Sequence, residues 1–306
     1  MDAWQYSSIK ETLETSLSLN QKATPPDASS PPPLIIGINP VKYKLPEIPP
    51  GSDFCGRIRG QIVFGALSIG TKLPQFGSLG QLLTAPSSND ATLPMGVNPD
   101  EAAAIGTAGL TAFQSLPKEL LKPGSKVFIN GGSGGVGSFT IQFAKAAGAY
   151  VVASCSTAKV GLCNRLGADE VIDYRRLNVV TELKRKGCVF DIAVDNIGSP
   201  KGLYESCSHF LKSEGVFMQV GMSKSMVGML RRSLLPGFLG GGKRRFQSVR
   251  VKPSREDLEQ IGKLILDARV RVLIEEKFEW REAPKAYAKL REGRTTGKII
   301  VHVSKA

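Results

Sequence analysis

Five glycines crowd into ten positions in INGGSGGVGS, residues 129–138. Gly132, Gly134 and Gly137 keep the G-x-G-x-x-G spacing. The apolar segment KVFIN precedes them and SFTIQFAKAAG follows, so the glycines fall between a strand and a helix, the context in which this spacing is informative. That context suits a pyrophosphate. The first glycine permits a tight turn, the second lets backbone approach the anion, and the third lets helix and strand pack closely. N–H groups of the helix's first turn then face the phosphates. A bare turn has no use for so many glycines, each of which loses more backbone freedom on folding than any other residue.

A second constellation lies one unit further on. A dinucleotide with a free ribose 2′-hydroxyl usually meets Asp or Glu about 20 residues after the glycines. Here the strand ends VVASCSTAK, with Cys155 and Ser156 where the acid would stand and Lys159 after them. A hydroxyl and an ammonium suit a 2′-phosphate, which a carboxylate would repel. Tyr174, at the end of VIDY, adds a phenolic hydroxyl. NADPH is therefore expected over NADH. The same residues also admit plainer readings: Ser156 as a helix cap, Lys159 as a solvated lysine.

The elements that position these groups follow from the apolar pattern. From Lys126 onward strands alternate with helices: KVFIN, SFTIQFAKAAG, YVVASC, KVGLCNRLG, EVIDY, RRLNVVTELKRKG, FDIAVDN, SPKGLYESCSHFLK, GVFMQVG and FQSVRVK. Such alternation predicts a parallel sheet covered on both faces. SREDLEQIGKLILDAR then reads as a helix opened by Ser254 with Asp257 three residues on. The chain closes with a strand, a helix and a strand in RVLIEEKFEW, REAPKAYAKLREG and GKIIVHV. Before residue 100 the chain reads as an irregular, mostly β region with strand-like LIIGI, GRIRGQIVFGAL and QLLTA. A helix over DEAAAIGTAGLTAFQSL leads out of it.

Composition narrows the function classes. The chain has 306 residues, 42% of them apolar and 22% charged, as a soluble globular protein does. The N-terminus has no basic start with an apolar stretch behind it, so a cytoplasmic protein is expected. Five scattered cysteines and only two histidines, His209 and His302, argue for reduced thiols and against a metal site. The net charge of +13 is concentrated at 231–255, RRSLLPGFLGGGKRRFQSVRVKPSR. It reads as a solvated basic loop, as a lure for a polyanionic cofactor or substrate, or, with no aromatic platform to support it, as a nucleic-acid surface.

VFINGGSGGVGSFTIQFAKAAGAYVVASCSTAK, with LGADEVIDYR after it, resembles the cofactor domain of the medium-chain dehydrogenase/reductases. The resemblance is to the zinc-independent quinone oxidoreductase branch and its fungal enoyl-reductase-like members. It extends over nearly the whole chain. INPVKYK is similar to that family's N-P-x-D-x-K element and PGSDFCGRI to its P-G-x-D-x-x-G element; IGTAGLTAFQSL and GRTTGKIIVHV also match.

The resemblance implies a Rossmann doubly wound parallel sheet with a GroES-like, mostly β catalytic domain. Residues 1–112 would form the catalytic domain, 113–252 the NADP-binding domain, and 253–306 a segment returning to the catalytic domain. By position, Ser133, Gly134, Gly135 and Val136 would line the pyrophosphate, and Ser156, Lys159 and Tyr174 would hold the 2′-phosphate. Asn196, Ile197, Val220, Gly221 and Met222 would border the nicotinamide, with Asn39, Tyr43 and Lys44 reaching it from the other domain. Two departures stand out. Lys42 replaces the usual Asp, and YKLPEIPPGSDF and GRIRGQIVFG are each short of the family's barrel, whose closure depends on strand number and register.

The expected activity is hydride transfer from NADPH to a quinone or enone, with Tyr43 available to hydrogen-bond the developing oxyanion. The resemblance further suggests a tailoring role in fungal secondary metabolism, on a polyketide, and a homodimer. A cofactor-binding protein without turnover is the competing expectation, and nucleic-acid binding through 231–255 a third.

Overall fold

The computed structural model describes residues 3–5, 18–21, 33–38, 52–58, 61–67, 78–83, 85–220 and 244–303. Asn39, Tyr43, Lys44, Gly221 and Met222 lie outside these, as does the basic stretch as far as residue 243. The chain divides into two units, Met1–Leu110 with Lys252–Ala306, and Thr111–Val251.

The first segment carries β1 (Ala3–Gln5), β2 (Ser18–Asn20), β3 (Pro33–Ile38), β4 (Asp53–Ile58), β5 (Gln61–Ala66), β6 (Asp90–Thr92) and α1 (Pro99–Gln114). Next come β7 (Lys126–Asn130), α2 (Gly135–Ala146), β8 (Tyr150–Cys155), α3 (Val160–Arg165), β9 (Glu170–Asp173), α4 (Val179–Lys186), β10 (Phe190–Asp195), β11 (Leu211–Gln219) and β12 (Arg245–Ser248). The last segment adds α5 (Arg255–Leu266), β13 (Ile274–Glu279), α6 (Ala283–Arg291) and β14 (Lys298–His302).

In the Thr111–Val251 unit six strands pair in the order β12-β11-β10-β7-β8-β9, every pair parallel. The order reverses at β7, between β8 and β10, which is the switch point where doubly wound sheets bind ligands. The middles of β7, β8, β10 and β11 are apolar and buried, as strands of a sheet covered on both faces are. On one face Phe128, Val152, Ala193 and Phe217 lie side by side and anchor a cluster with Leu183, Phe190, Phe210 and Leu211. Helix α4 opens where Asn178 accepts the Thr181 N–H and closes before Gly187, at φ +72°. Helix α3 is followed by Gly167, at φ +103°.

One expected helix is absent. SPKGLYESCSHFLK forms consecutive turns and a single 3-10 turn, Cys207–His209, and Leu211 already belongs to β11. Pro200 and Gly202, the latter at φ +85°, interrupt helical geometry at its start. Burial of Leu203, Tyr204, Cys207 and Phe210 gave the segment its helical look. QLLTA is likewise no strand at its described positions, although Leu83 joins the core of the other unit.

That unit holds a sheet in the order β13-β14-β3-β4-β5-β6, antiparallel except for β13 with β14, and a separate antiparallel pair, β1 with β2. Its core gathers Phe54, Val63, Leu79, Phe278, Tyr287 and Ile299. Three of the motifs quoted above converge on one buried carboxylate. Asp53 accepts the Thr107 N–H at 2.6 Å and meets the Lys298 ammonium at 2.9 Å. Helix α1 breaks at Gly106 (φ −9°, ψ −111°), where a Cβ would stand 2.5 Å from the Asp53 carboxyl carbon. The break releases the Thr107 N–H from the helix ladder to Asp53, so Gly106 and Asp53 require each other. Helix α5 begins as its sequence predicts, with Ser254 Oγ accepting the Asp257 N–H at 3.2 Å.

Candidate cofactor site

The glycines between β7 and α2 have different tasks. Gly131, not Gly132, makes the turn in the left-handed region, at φ +80°. A Cβ on Gly132 would press on Ile141, Ala153 and Cys163 at 2.9–3.3 Å, so this glycine serves packing beneath the turn. This corrects the expected division of labour between them. Gly137 lies against the turn: a Cβ there would fall 2.0 Å from the Gly131 carbonyl oxygen and 2.8 Å from Gly132 Cα. At Gly134 the nearest atom to such a Cβ is 4.0 Å away. Gly134 caps α2 in an extended conformation (φ −80°, ψ 179°) with no side chain over its N–H groups. Open space beside a helix N-terminus is the cradle that a pyrophosphate fills, so the residues present fit a dinucleotide. Ser133, Gly135 and Val136 are half-buried around it.

The second constellation gathers at the ends of β8 and β9. The Tyr174 N–H donates to the Cys155 carbonyl at 3.1 Å, which places Tyr174 next to Ser156. Ser156 caps a 3-10 turn, Thr157–Lys159, through its backbone, and its hydroxyl makes no cap bond. Lys159 is half-buried and Tyr174 is exposed. Sequence reasoning missed the neighbours. The Arg175 guanidinium lies 5.7 Å from the Tyr174 ring centroid, and Arg176 approaches Asp173 at 3.6 Å. Asp173, at the end of the neighbouring β9, is an acid at this edge that the spacing after the glycines does not point to. Its carboxyl is held below the usual range by a hydrogen bond from Thr157, the Arg175 N–H, and the charges of Arg176 and Arg175. Beneath it, Cys155 and Cys163 are buried and hydrogen-bonded. That bond lowers the Cys155 pKa and, with burial, raises that of Cys163.

At the ends of β10 and β11, the expected nicotinamide residues divide. The exposed Ile197 side chain folds over Gly131, where its Cδ1 would sit 2.6 Å from an added Cβ. The Val220 N–H donates to the Asp195 carbonyl at 2.9 Å. Both polar atoms of the Asn196 side chain are buried with no hydrogen-bond partner among the described residues. A buried primary amide needs a partner; a carboxamide, with one donor and one acceptor edge, supplies it. Asn130, Ser154, Asp195 and Gln219, all buried and polar, line the floor between these groups. They were not predicted, because each reads locally as an ordinary residue at or next to the end of a strand.

The described residues offer no site for a zinc ion. Among the described residues no three His, Cys, Asp or Glu side chains stand close enough to hold a metal. His302 is engaged by Asp100 at 2.9 Å, and His209 sits in the 3-10 turn before β11.

Residues 166–301 match a family model described as zinc-binding dehydrogenase. The chain is similar to the trans-enoyl reductase pgmF of Aspergillus terreus, 38% identical over 346 aligned positions that cover 99% of this chain and 96% of that protein. Those positions outnumber the 306 residues here, so pgmF carries residues opposite gaps in this chain. Among solved structures, the quinone oxidoreductase from Coxiella burnetii superposes with a TM-score of 0.85 at 25% identity, covering 99% of both chains. The CurK enoyl reductase shares the fold, with a TM-score of 0.76 at 18% identity over 98% of both. On the glycine cradle, the parallel sheet and these likenesses, the chain belongs to the medium-chain dehydrogenase/reductase superfamily and is an NAD(P)H-dependent oxidoreductase.

Proposed function

We propose that this chain is an NADPH-dependent reductase of a quinone or an α,β-unsaturated carbonyl, acting as a tailoring enzyme on a small polyketide-like molecule. The observation that carries the cofactor half is the contrast between Gly137, where a Cβ has no room, and Gly134, where there is room for one and nothing fills it. The substrate half rests on the proteins this chain resembles, a trans-enoyl reductase and a quinone oxidoreductase.

A bound nicotinamide supplies a hydride to an electron-poor carbon. The work of the protein is placement. The first turn of α2 offers N–H groups to the pyrophosphate, and Ile197 and Asn196 stand where the far ring is expected. Ser156, Lys159 and Tyr174 are proposed to hold the 2′-phosphate, with Arg175 added to them. Asp173 stays ionised beside this set, and the Arg176 guanidinium at 3.6 Å balances its charge. Tyr43, outside the described residues, is proposed to donate to the developing oxyanion, and Asn39 and Lys44 to approach the same ring.

The test is oxidation of NADPH across a panel of quinones and enones, with NADH run beside it. Turnover of at least one acceptor, with NADPH bound about tenfold or more tighter than NADH, is expected from the cation set at the 2′ edge. Tight NADPH binding without turnover of any acceptor would favour a binding protein without catalysis, the reading that the gaps opposite pgmF support. Equal affinity for both nucleotides would remove the 2′-phosphate assignment.

A further inference from the structure

We infer that Asp195 is a positioning residue for the dinucleotide, its buried carboxylate tying the turn that receives the pyrophosphate to the segment that meets the nicotinamide. The inference rests on the cofactor reading above.

Register creates the arrangement. Asn130 pairs with Ser154 on one side and with Asp195 on the other, and Asp195 pairs with Gln219. Four neighbouring strands therefore carry four polar side chains at or next to their ends, on one face of the sheet. Two residues back, the same face carries Phe128, Val152, Ala193 and Phe217, all apolar. The polar row is thus confined to the strand ends, where ligands bind in such sheets.

The bonds run across the row without a gap. Asp195 Oδ1 accepts the Ile197 N–H at 3.1 Å, the Gly198 N–H at 2.9 Å and Asn130 Nδ2 at 2.8 Å. Its Oδ2 accepts Gln219 Nε2 at 3.2 Å. Asn130 Oδ1 accepts the Ser154 hydroxyl at 2.6 Å, and Ser154 Oγ accepts the Gly131 N–H at 3.1 Å. Asn130 Nδ2 also donates to the Ser199 carbonyl. One end of this chain of bonds fixes the glycine turn. The other fixes 196–199, which holds the Asn196 amide that lacks a partner.

Stability alone does not account for the row. A buried carboxylate that, among the described residues, meets only neutral donors is costly to desolvate, and apolar residues of similar size would serve a core as well. What apolar residues lack is direction: only a multiply bonded acceptor sets the angle at which residues 196–198 leave β10.

Calorimetric titration of the full chain with NADPH and with 2′-phospho-ADP-ribose, which has no nicotinamide, tests this. The wild-type chain should bind both. Asp195→Ala should weaken NADPH about tenfold or more, the scale of an orphaned buried hydrogen-bonding group, and the fragment by less than about threefold. Asp195→Asn should recover much of the loss, since an amide still offers one acceptor to the three N–H groups. Ser154→Ala, at the other end, should weaken both ligands alike. If Asp195→Ala folds, as circular dichroism reports, and changes both ligands equally or neither, the inference is overturned. Should that variant fail to fold, Ser154→Ala decides: binding of both ligands at wild-type strength overturns it. A wild-type chain that binds neither ligand overturns the cofactor reading itself, and this inference with it.

Discussion

Asp53 and Asp195 are both buried, one in each unit, and their surroundings differ in kind. Asp53 faces an ammonium: Lys298 is as buried as its partner, and the pair is joined by the Thr107 N–H at the break in α1. Asp195 faces N–H donors alone among the described residues, from four residues on two strands and the segment after β10. A charge pair is strong at close range but tolerant of angle, and it suits a joint between distant segments. A set of neutral donors around one carboxylate is more directional, and it suits a place where a ligand must be met at a fixed orientation. The first site holds a fold together; the second holds a geometry.

The largest expected effect breaks the first site. Lys298→Met should destabilise the protein by about 3–5 kcal/mol, because it leaves the Asp53 carboxylate buried without its cation. Denaturant unfolding measures this, and a loss below about 1 kcal/mol would mean that water reaches Asp53. Lys298 lies outside the proposed cofactor site. Any folded fraction of that variant should therefore bind NADPH as the wild type does, whereas Asp195→Ala should lose affinity at a smaller cost in stability.

The glycine turn sharpens the same distinction within a few residues. Gly137→Ala drives a methyl into the Gly131 carbonyl oxygen and should cost about 1–3 kcal/mol, with cofactor binding lost as the turn shifts. Gly134→Val should leave stability within about 0.5 kcal/mol of wild type, as a change in open space does, yet abolish binding. If Gly134→Val binds NADPH normally, the open space beside it is no cradle.

At the 2′ edge, Lys159→Ala and Arg175→Ala should each weaken NADPH by about tenfold while leaving NADH within about twofold, the mark of a charge-assisted contact to one phosphate. Equal losses for both nucleotides would point to damage elsewhere. The smallest effect concerns the thiols. Cys55 is buried and its pKa is pushed up to about 12, by burial first and by the Asp100 carboxylate second. Cys188 is exposed. One thiol should therefore react with a maleimide at neutral pH well before the others, and Cys188→Ser should remove that fast phase. A fast phase that persists would place a reactive thiol among the four buried ones.

Much of the cofactor unit is legible in the chain because its signals are local. A strand buried on both faces is a short apolar run; in the other unit, a helix start is a side chain that reaches its own third N–H, as at Ser254. Gly137 marks the turn for the same reason, since the atoms that demand glycine there belong to Gly131 and Gly132. Local signals also mislead. Residues 199–212 carry the apolar spacing of a helix but are held in turns by Pro200 and Gly202, and their apolar groups are buried all the same.

Tertiary structure alone decided the rest. Lys298 meets Asp53 across 245 positions, and nothing near either residue announces the other. The row of Ser154, Asn130, Asp195 and Gln219 exists because β7 pairs with β8 on one side and β10 on the other. Strand order is set by how helices pack over the sheet, a long-range matter that no periodicity records. Asp173 and Arg175 reach the proposed 2′-phosphate edge in the same way, from the strand beside Ser156 or just after it and not from its own. The sequence by itself determined that a nucleotide-binding turn would form and where its glycines stand; the pairing of strands decided which distant side chains would floor it.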